Sequence, residues 1–209
     1  MDIEEIIINL KILSQLDKNQ KLITRGSYIN IEGPSLIPEF IRRWNRQENR
    51  SETLKKINSI INETNSSDSD RIEWDDYFMS IALLASQRSP CKRLNVGSVI
   101  VKDMRMISMG YNGFIPGAPH ISRVKDNHEQ SIIHSEINAI TDCAKRGASL
   151  SGAKIYVTHY PCLNCFRSIA ASNIKEIVYL NDYKNDETVA LLAGDANITI
   201  RRIDLPTLM

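Results

Sequence analysis

His134-Ser135-Glu136, answered further along by Pro161-Cys162-Leu163-Asn164-Cys165, is the pair of stretches that decides how this chain is read. A catalytic zinc takes three protein ligands and keeps a fourth position open. His134, Cys162 and Cys165 supply three donors of the right kind. A Cys-x-x-Cys pair closes on one ion without backbone strain, and Pro161 suits the first position of a helix, where its missing N–H costs nothing. Cys162 then sits at a positive helix end, which together with a metal favours the thiolate form of both sulfurs. Glu136, one residue removed from His134, can reach a water beside the metal without being a ligand, the placement of a proton carrier. Taken alone, Cys162 and Cys165 also fit a redox pair or half of a structural zinc knot. The preceding His-x-Glu favours catalysis, because a structural site wants a fourth Cys or His and leaves Glu136 without a task.

The chain has 209 residues, room for one well-buried domain with a small appendage or for two small domains. A formal net charge of +1 creates no overall field to gather nucleic acid or an anionic membrane, so neither is expected as a partner. No apolar run approaches the roughly 20 residues that a membrane span needs. The start, Met1-Asp2-Ile3-Glu4-Glu5, lacks the basic residues of a secretory signal, and a soluble, cytoplasmic protein is expected. Four cysteines, two of them assigned to zinc, do not make a disulfide framework.

Along the chain, Ile3, Ile6, Ile7, Leu10 and Leu13 predict an amphipathic helix. Leu22 to Thr24 and Tyr28 to Ile31 read as a hairpin, with a further helix after Pro38. Ser51 is suited to cap another helix, with Leu54, Ile57, Ile60 and Ile61 on one face. Arg42, Arg46 and Arg50 give a basic stripe that fits either a phosphate grip or a solvated face. The polar run Thr64 to Asp70 has linker composition and sets a boundary between a module at 1–70, of oligomeric or regulatory use, and a domain at 71–209. From Trp74 a helix is predicted with Trp74, Tyr77, Phe78, Ile81, Leu84 and Ala85 inward. Strands follow at Asn95 to Lys102 and Met106 to Asn112, then a long irregular segment from Gly113 to Ile133. The helix from about His134 carries Ile137, Ile140 and Ala144 inward, with Cys143 a buried small apolar residue, and stops at Gly147. Strands are expected at Ala153 to His159, Glu176 to Leu180 and Asn197 to Ile203, with a short helix from Asp186 to Leu192. Alternating strands and helices imply an α/β domain with helices on both faces of a sheet.

The H-x-E and P-C-x-x-C pattern resembles the signature of zinc-dependent nucleobase deaminases. From about Trp74 to Ile203 the chain resembles the deoxycytidylate deaminase branch of that superfamily. The finer match lies in Trp74-Asp75-Asp76-Tyr77-Phe78-Met79, Val96-Gly97-Ser98-Val99-Ile100-Val101 and Gly110-Tyr111-Asn112-Gly113. The resemblance implies the cytidine deaminase-like fold, a three-layer α/β/α arrangement with a mixed five-stranded sheet, here beside a small N-terminal α+β module. It implies a catalytic Zn2+ on His134, Cys162 and Cys165, Glu136 as proton shuttle, and substrate contacts from Asn112, Ser135 and Pro161. Ser135 stands where the family usually has alanine, a change expected to be harmless because the backbone is what is used there. Asn112 also fits a simple Asn-Gly turn.

The resemblance further implies a second, structural zinc near Cys91, His120 and His128. Ile121 occupies a position where relatives often have cysteine, so Asp126 or Glu129 must complete the site, or these residues bind no metal. Donors for a substrate phosphate are sought among Arg88, Ser89, Lys92, Lys145 and Arg146. Relatives are commonly homo-oligomers, often hexamers, activated by dCTP and inhibited by dTTP, effectors that bring Mg2+ with them. The implied reaction is the hydrolysis of dCMP to dUMP and ammonia. An RNA- or DNA-editing deaminase shares the metal motif, and an inactive zinc-stabilised binding module is the reading outside enzymes. The long segment before His134 and the near-neutral charge favour the mononucleotide.

Overall fold

Strand residues at Gly97–Lys102 and Lys154–His159 are buried along nearly their whole length, the pattern of a sheet covered on both sides. The computed structural model of the chain describes residues 21–25, 28–32, 49–61, 71–91, 93–125 and 128–205. The chain divides into two compact units, Met1–Lys55 and Lys56–Met209.

In the first unit β1 (Lys21–Arg25) and β2 (Tyr28–Glu32) form the antiparallel hairpin read from the sequence. Helix α1 covers 49–61, so Ser51 lies inside it and does not cap it. Of its predicted apolar face only Ile60 is buried, beside Thr53 and Ser59, whereas Leu54 and Ile61 are exposed. The predicted helices at Ile3 to Leu13 and after Pro38, the residues Arg42 and Arg46, and the run Thr64 to Asp70 lie outside the described residues.

The second unit, which begins at Lys56 within α1, holds α2 (Trp74–Ser86) and the hairpin of β3 (Gly97–Lys102) and β4 (Arg105–Tyr111). Asp103 and Met104 turn this hairpin with φ of 49° and 55°, the positive values that a two-residue connection requires. The segment predicted to be irregular is an arm of two short antiparallel ladders. β5 (Gly113–Phe114) pairs with β8 (Ile132–Ile133), and β6 (Val124–Lys125) pairs with β7 (His128–Glu129). Helix α3 (Ser135–Arg146) follows at once, then β9 (Lys154–His159), α4 (Leu163–Ala171), β10 (Glu176–Asn181), α5 (Glu187–Asp195) and β11 (Thr199–Arg202). The strand order is β11-β10-β9-β3-β4. β9, β10 and β11 are parallel, while β3 is antiparallel to both of its neighbours, so the sheet is mixed.

Side chains alternate between two cores. Tyr156, Val99, Val101 and Val178 meet Phe78, Met79, Ala82 and Leu83 of α2 on one face. Ile155, Val157, Ile100 and Ile177 meet Ala139 of α3, Phe166 and Ile169 of α4, and Val189 and Ala193 of α5 on the other. The result is the expected α/β/α layering. Among the described residues no helix is long and apolar enough to cross a membrane.

Two helices present a face rotated from the one their apolar spacing predicts. In α2 the buried set is Phe78, Met79, Ala82, Leu83, Ala85 and Ser86, with Trp74, Tyr77 and Leu84 exposed. In α3 it is Ser135, Glu136, Ala139 and Cys143, with Ile137 and Ile140 at the margin and Ala144 exposed. The cause is close packing on glycine. A Cβ on Gly97 would stand 2.1 Å from Ala82 O, and one on Gly110 would stand 2.1 Å from Ser135 O. Where backbone meets backbone, small residues face the sheet and bulky ones are moved to the flanks.

The start of α2 is tied across the sheet by Asp75, which accepts from Tyr156 Oη at 2.7 Å and pairs with Arg201. Glu176 joins Arg201 Nε at 2.8 Å and Lys154 Nζ at 2.9 Å. Burial raises the Asp75 carboxyl, but the hydrogen bonds from Tyr156 and Arg201 outweigh it and hold its pKa below the ordinary value.

Because α3 begins directly over Gly110, Gly110→Ala is expected to destabilise the chain by about 3 kcal/mol, the upper range for overpacking a filled site. Urea unfolding measures this, and a loss below about 0.5 kcal/mol shows that the helix start can lift without cost.

Candidate active site and metal centre

The β5–β8 ladder ends at Ile133, and the next residue, His134, is the N-cap of α3 with extended backbone (φ −65°, ψ 151°). Two asparagines fix this helix start to the end of β4. Asn112 Oδ1 accepts the Ser135 N–H at 2.9 Å, taking one of the donors that a helix start leaves unpaired. Asn112 Nδ2 donates to Leu94 O at 3.0 Å, and Asn138 Nδ2 to Tyr111 O at 3.0 Å. The second helix start comes off β9. Tyr160 N donates to Asn181 O at 2.9 Å, Pro161 is buried, and Cys162 is the N-cap of α4 (φ −71°, ψ 161°). Pro161 therefore precedes the cap and is not the first helical residue, while Cys162 occupies the positive helix end as expected.

These starts bring three donors together. His134 Nδ1 lies 3.6 Å from Cys162 Sγ and 3.3 Å from Cys165 Sγ, and all three donor atoms fall within 4.8 Å of one another. Zinc–sulfur and zinc–nitrogen bonds of about 2.3 and 2.0 Å at a tetrahedral angle place N and S about 3.5 Å apart. The donor set fits zinc in kind and in spacing, and it is the one such cluster among the described residues.

The protons are arranged accordingly. Cys162 is held as the thiolate, its pKa lowered to about 4 by the hydrogen bond from Cys165, with burial opposing and His134 assisting. The bond to Cys162 and burial both push the Cys165 thiol pKa up, and a zinc held there would draw that proton off. The bond to Cys162 raises His134 above the ordinary imidazole value, burial opposes it, and the Glu136 charge adds to the rise. Glu136 is 4% exposed, and burial raises its carboxyl pKa against its own backbone N–H, His134 and Ser135, which lower it. A buried carboxyl beside the metal donors is placed to take and return a proton.

Two residues near this centre escaped the sequence reading. The charge of Arg93 bears on His134, and Arg93 Nη1 donates to Tyr183 Oη at 3.3 Å. Tyr183 also meets the ring of His159 edge-on at 6.2 Å. A signal existed: Tyr183 follows the C-terminal end of β10, and crevices beyond the carboxyl ends of parallel strands are where α/β sheets bind ligands.

The model of the cytidine and deoxycytidylate deaminase zinc-binding region matches residues 72–181, more than half of the chain. The chain belongs to this deaminase family. ComE operon protein 2 of Bacillus subtilis is 44% identical over 140 residues, 65% of this chain and 74% of that protein. The deoxycytidylate deaminase of Mycobacterium phage D29 is 40% identical over 124 residues, 52% of this chain and 95% of its own. Among solved structures, the dCMP deaminase of cyanophage S-TIM5 in complex with dCMP and dUMP matches with a TM-score of 0.58 at 29% identity, covering 64% of this chain and 98% of that one.

Within this deaminase several of the other predicted residues are already engaged. Arg146 pairs with Asp142 and donates to Ile107 O at the far end of α3, so neither it nor Lys145 stands beside the metal donors. Ser89 donates to Asn112 O at 2.7 Å and accepts from Cys91 N at 3.2 Å, Arg88 is exposed, and Lys92 lies outside the described residues. Cys91 is buried and His120 stacks on Phe114 with ring centroids 4.8 Å apart. The side chains of His128 and Asp126 lie outside the described residues. The Glu129 carboxylate accepts from Ser122 and from the N–H groups of Arg123 and Ser131, both at 2.9 Å, and so ties the arm to itself.

Cys165→Ser is expected to leave each chain with one zinc fewer than the wild type by elemental analysis. Unchanged zinc content shows that the three donors do not share an ion.

Proposed function

We propose that this chain hydrolyses dCMP to dUMP and ammonia. The observation that carries the reading is the donor set of His134, Cys162 and Cys165 with the buried Glu136 carboxyl beside it, in a chain whose named relatives include deoxycytidylate deaminases. Zinc bound there supplies the activation of a water, lowering its pKa from about 15.7 toward about 7. Glu136 takes a proton from that water and delivers it to N3 of the cytosine, which makes C4 open to the water oxygen. The carboxyl, charged again, then takes the remaining proton from the hydroxyl added at C4 and passes it to the amine, so that the C4–N bond breaks as C4=O forms, N3 keeps its proton and ammonia leaves. The second N–H of Asn112 Nδ2 is free of Leu94 and reaches the sugar, with the backbone at Ser135 and Pro161 completing the base pocket. Arg93 receives the 5′-phosphate, as the guanidinium whose charge is already felt at His134.

Residues 71–209 form the deaminase domain of this proposal, and residues 1–70 serve assembly or control. A structural zinc on Cys91, His120 and His128 belongs to it too. Asp126 or Glu129 would complete that site, and Glu129 already accepts from Ser122, Arg123 and Ser131. A homo-oligomeric assembly, with six chains favoured, and control by dCTP and dTTP with Mg2+ complete the reading. The near-neutral charge disfavours a polynucleotide substrate.

Steady-state assays on dCMP, dCTP, deoxycytidine and cytosine-containing oligonucleotides, with and without dCTP, test this. Wild-type protein is expected to turn over dCMP, and Glu136→Gln to keep its fold and zinc while kcat falls by about 10²–10⁴-fold. Activity on an oligonucleotide with none on dCMP reverses the assignment.

Arg93→Ala is expected to raise KM for dCMP about tenfold or more, the scale of a lost charge-assisted bond, and to leave deoxycytidine turnover unchanged. An equal effect on both substrates removes Arg93 from the phosphate.

A further inference from the structure

Ser135 is completely enclosed, at 0% exposure, and its hydroxyl lies 2.9 Å from Glu136 Oε2. Both backbone groups of Ser135 are fixed: its N–H by Asn112 Oδ1 at 2.9 Å, and its carbonyl by the close approach of Gly110. The hydroxyl does not cap the helix, because the N-cap is His134 and Ser135 is the first helical residue. A carboxylate only accepts, so Ser135 is the donor.

We propose that Ser135 is a positioning residue for the proposed deamination: its hydroxyl holds Oε2 of Glu136 so that Oε1 is the oxygen that takes and returns the proton. The inference rests on the reading of the reaction given above. The last torsion of a glutamate side chain is broad and two-fold, so an untied carboxyl presents either oxygen. Its own backbone N–H and the Cys165 sulfur also bear on this carboxyl. Ser135 breaks the equivalence. When Glu136 is charged, Oε2 accepts from Ser135 Oγ. When Oε1 carries the proton taken from water, Oε2 is the carbonyl oxygen and still accepts from Ser135. The hydroxyl keeps its own proton throughout, and the transferred proton passes from water to Oε1 and from Oε1 to the pyrimidine or the departing amine. A proton on Oε2 requires Ser135 to turn into an acceptor and leaves its O–H without this partner in an enclosed site, a costly arrangement. The side chain whose replacement of alanine looked harmless in the sequence thus acts through its hydroxyl.

Ser135→Ala removes the tie and alters little else, since alanine is well accommodated in a helix. The zinc-loaded variant is expected to lose about tenfold in kcat on dCMP with KM within about twofold, a loss of transition-state positioning without a loss of binding. Unchanged kcat overturns the proposal, as does a rise in KM alone, which assigns Ser135 to substrate binding. A second measurement needs no substrate. Ser135→Ala is expected to lower the urea midpoint in the wild-type background and to leave it unmoved when Glu136→Ala is already present. Equal shifts in both backgrounds overturn the tie. Wild-type protein inert on dCMP that still shows the coupling removes the proposed function and not the Ser135–Glu136 contact.

Discussion

The imidazole of His134 and the sulfurs of Cys162 and Cys165 must come within ligand distance of one point although they lie on two separate helices. Meeting that demand sets much of the architecture. β3 lies between β4, which leads toward α3, and β9, which leads into α4, and runs antiparallel to both, so both helices begin at the same end of the sheet. Neither helix start can drift. Asn112 and Asn138 hold one to the end of β4, while the bond from Tyr160 N to Asn181 O holds the approach to the other against β10. Gly110 closes the remaining gap by letting the Ser135 carbonyl settle on β4, where a methyl group has no room.

That requirement also explains which parts of the fold were legible in the sequence. The strands, their order of appearance and the motif helices could be read because β-branched runs, turn residues and the Gly147 cap are local signals, and Gly147 does adopt φ 70°. The inward faces of α2 and α3 could not. Apolar spacing gives no weight to small residues, whereas here Ala82, Ser86, Ser135 and Ala139 make the closest approach to the glycines of the sheet and set the rotation of each helix. The three metal donors and Glu136 were legible because their chemistry restricts both residue type and spacing. Arg93 and Tyr183 were not: they belong to no local pattern and meet only once β10 and the segment before β3 are folded together. The two-ladder arm between Gly113 and Ile133 was also beyond reach, since its ladders are two residues long and carry no alternation to detect.

Burying Glu136 is costly unless the carboxyl finds donors, and those it finds come from the same helix turn. Its own N–H, the Ser135 hydroxyl and the positive end of α3 all lie within one turn of the metal donor His134. The proton carrier and the metal ligand are thereby placed by one helix terminus, and a displacement of either moves both. Such shared placement suits chemistry in which a proton and an attacking water must arrive at one ring from a common side.

Electrostatics imposes a last condition. A chain with a formal net charge of +1 offers no general field to gather a nucleotide phosphate. Attraction therefore has to be local. Arg93 stands within electrostatic reach of His134 and is oriented by Tyr183, whereas the cations at the end of α3 are remote from the metal donors and Arg146 there is committed to Asp142 and Ile107. A single oriented guanidinium can hold a phosphate by two parallel hydrogen bonds, which fixes the nucleotide's direction as well as its position. In the proposed function, a phosphate anchored on that side would direct the base toward the carboxyl and the metal donors. A neutral nucleoside lacks such an anchor, so under the proposed assignment a preference for the mononucleotide would follow from where one cation sits and not from the charge of the whole molecule.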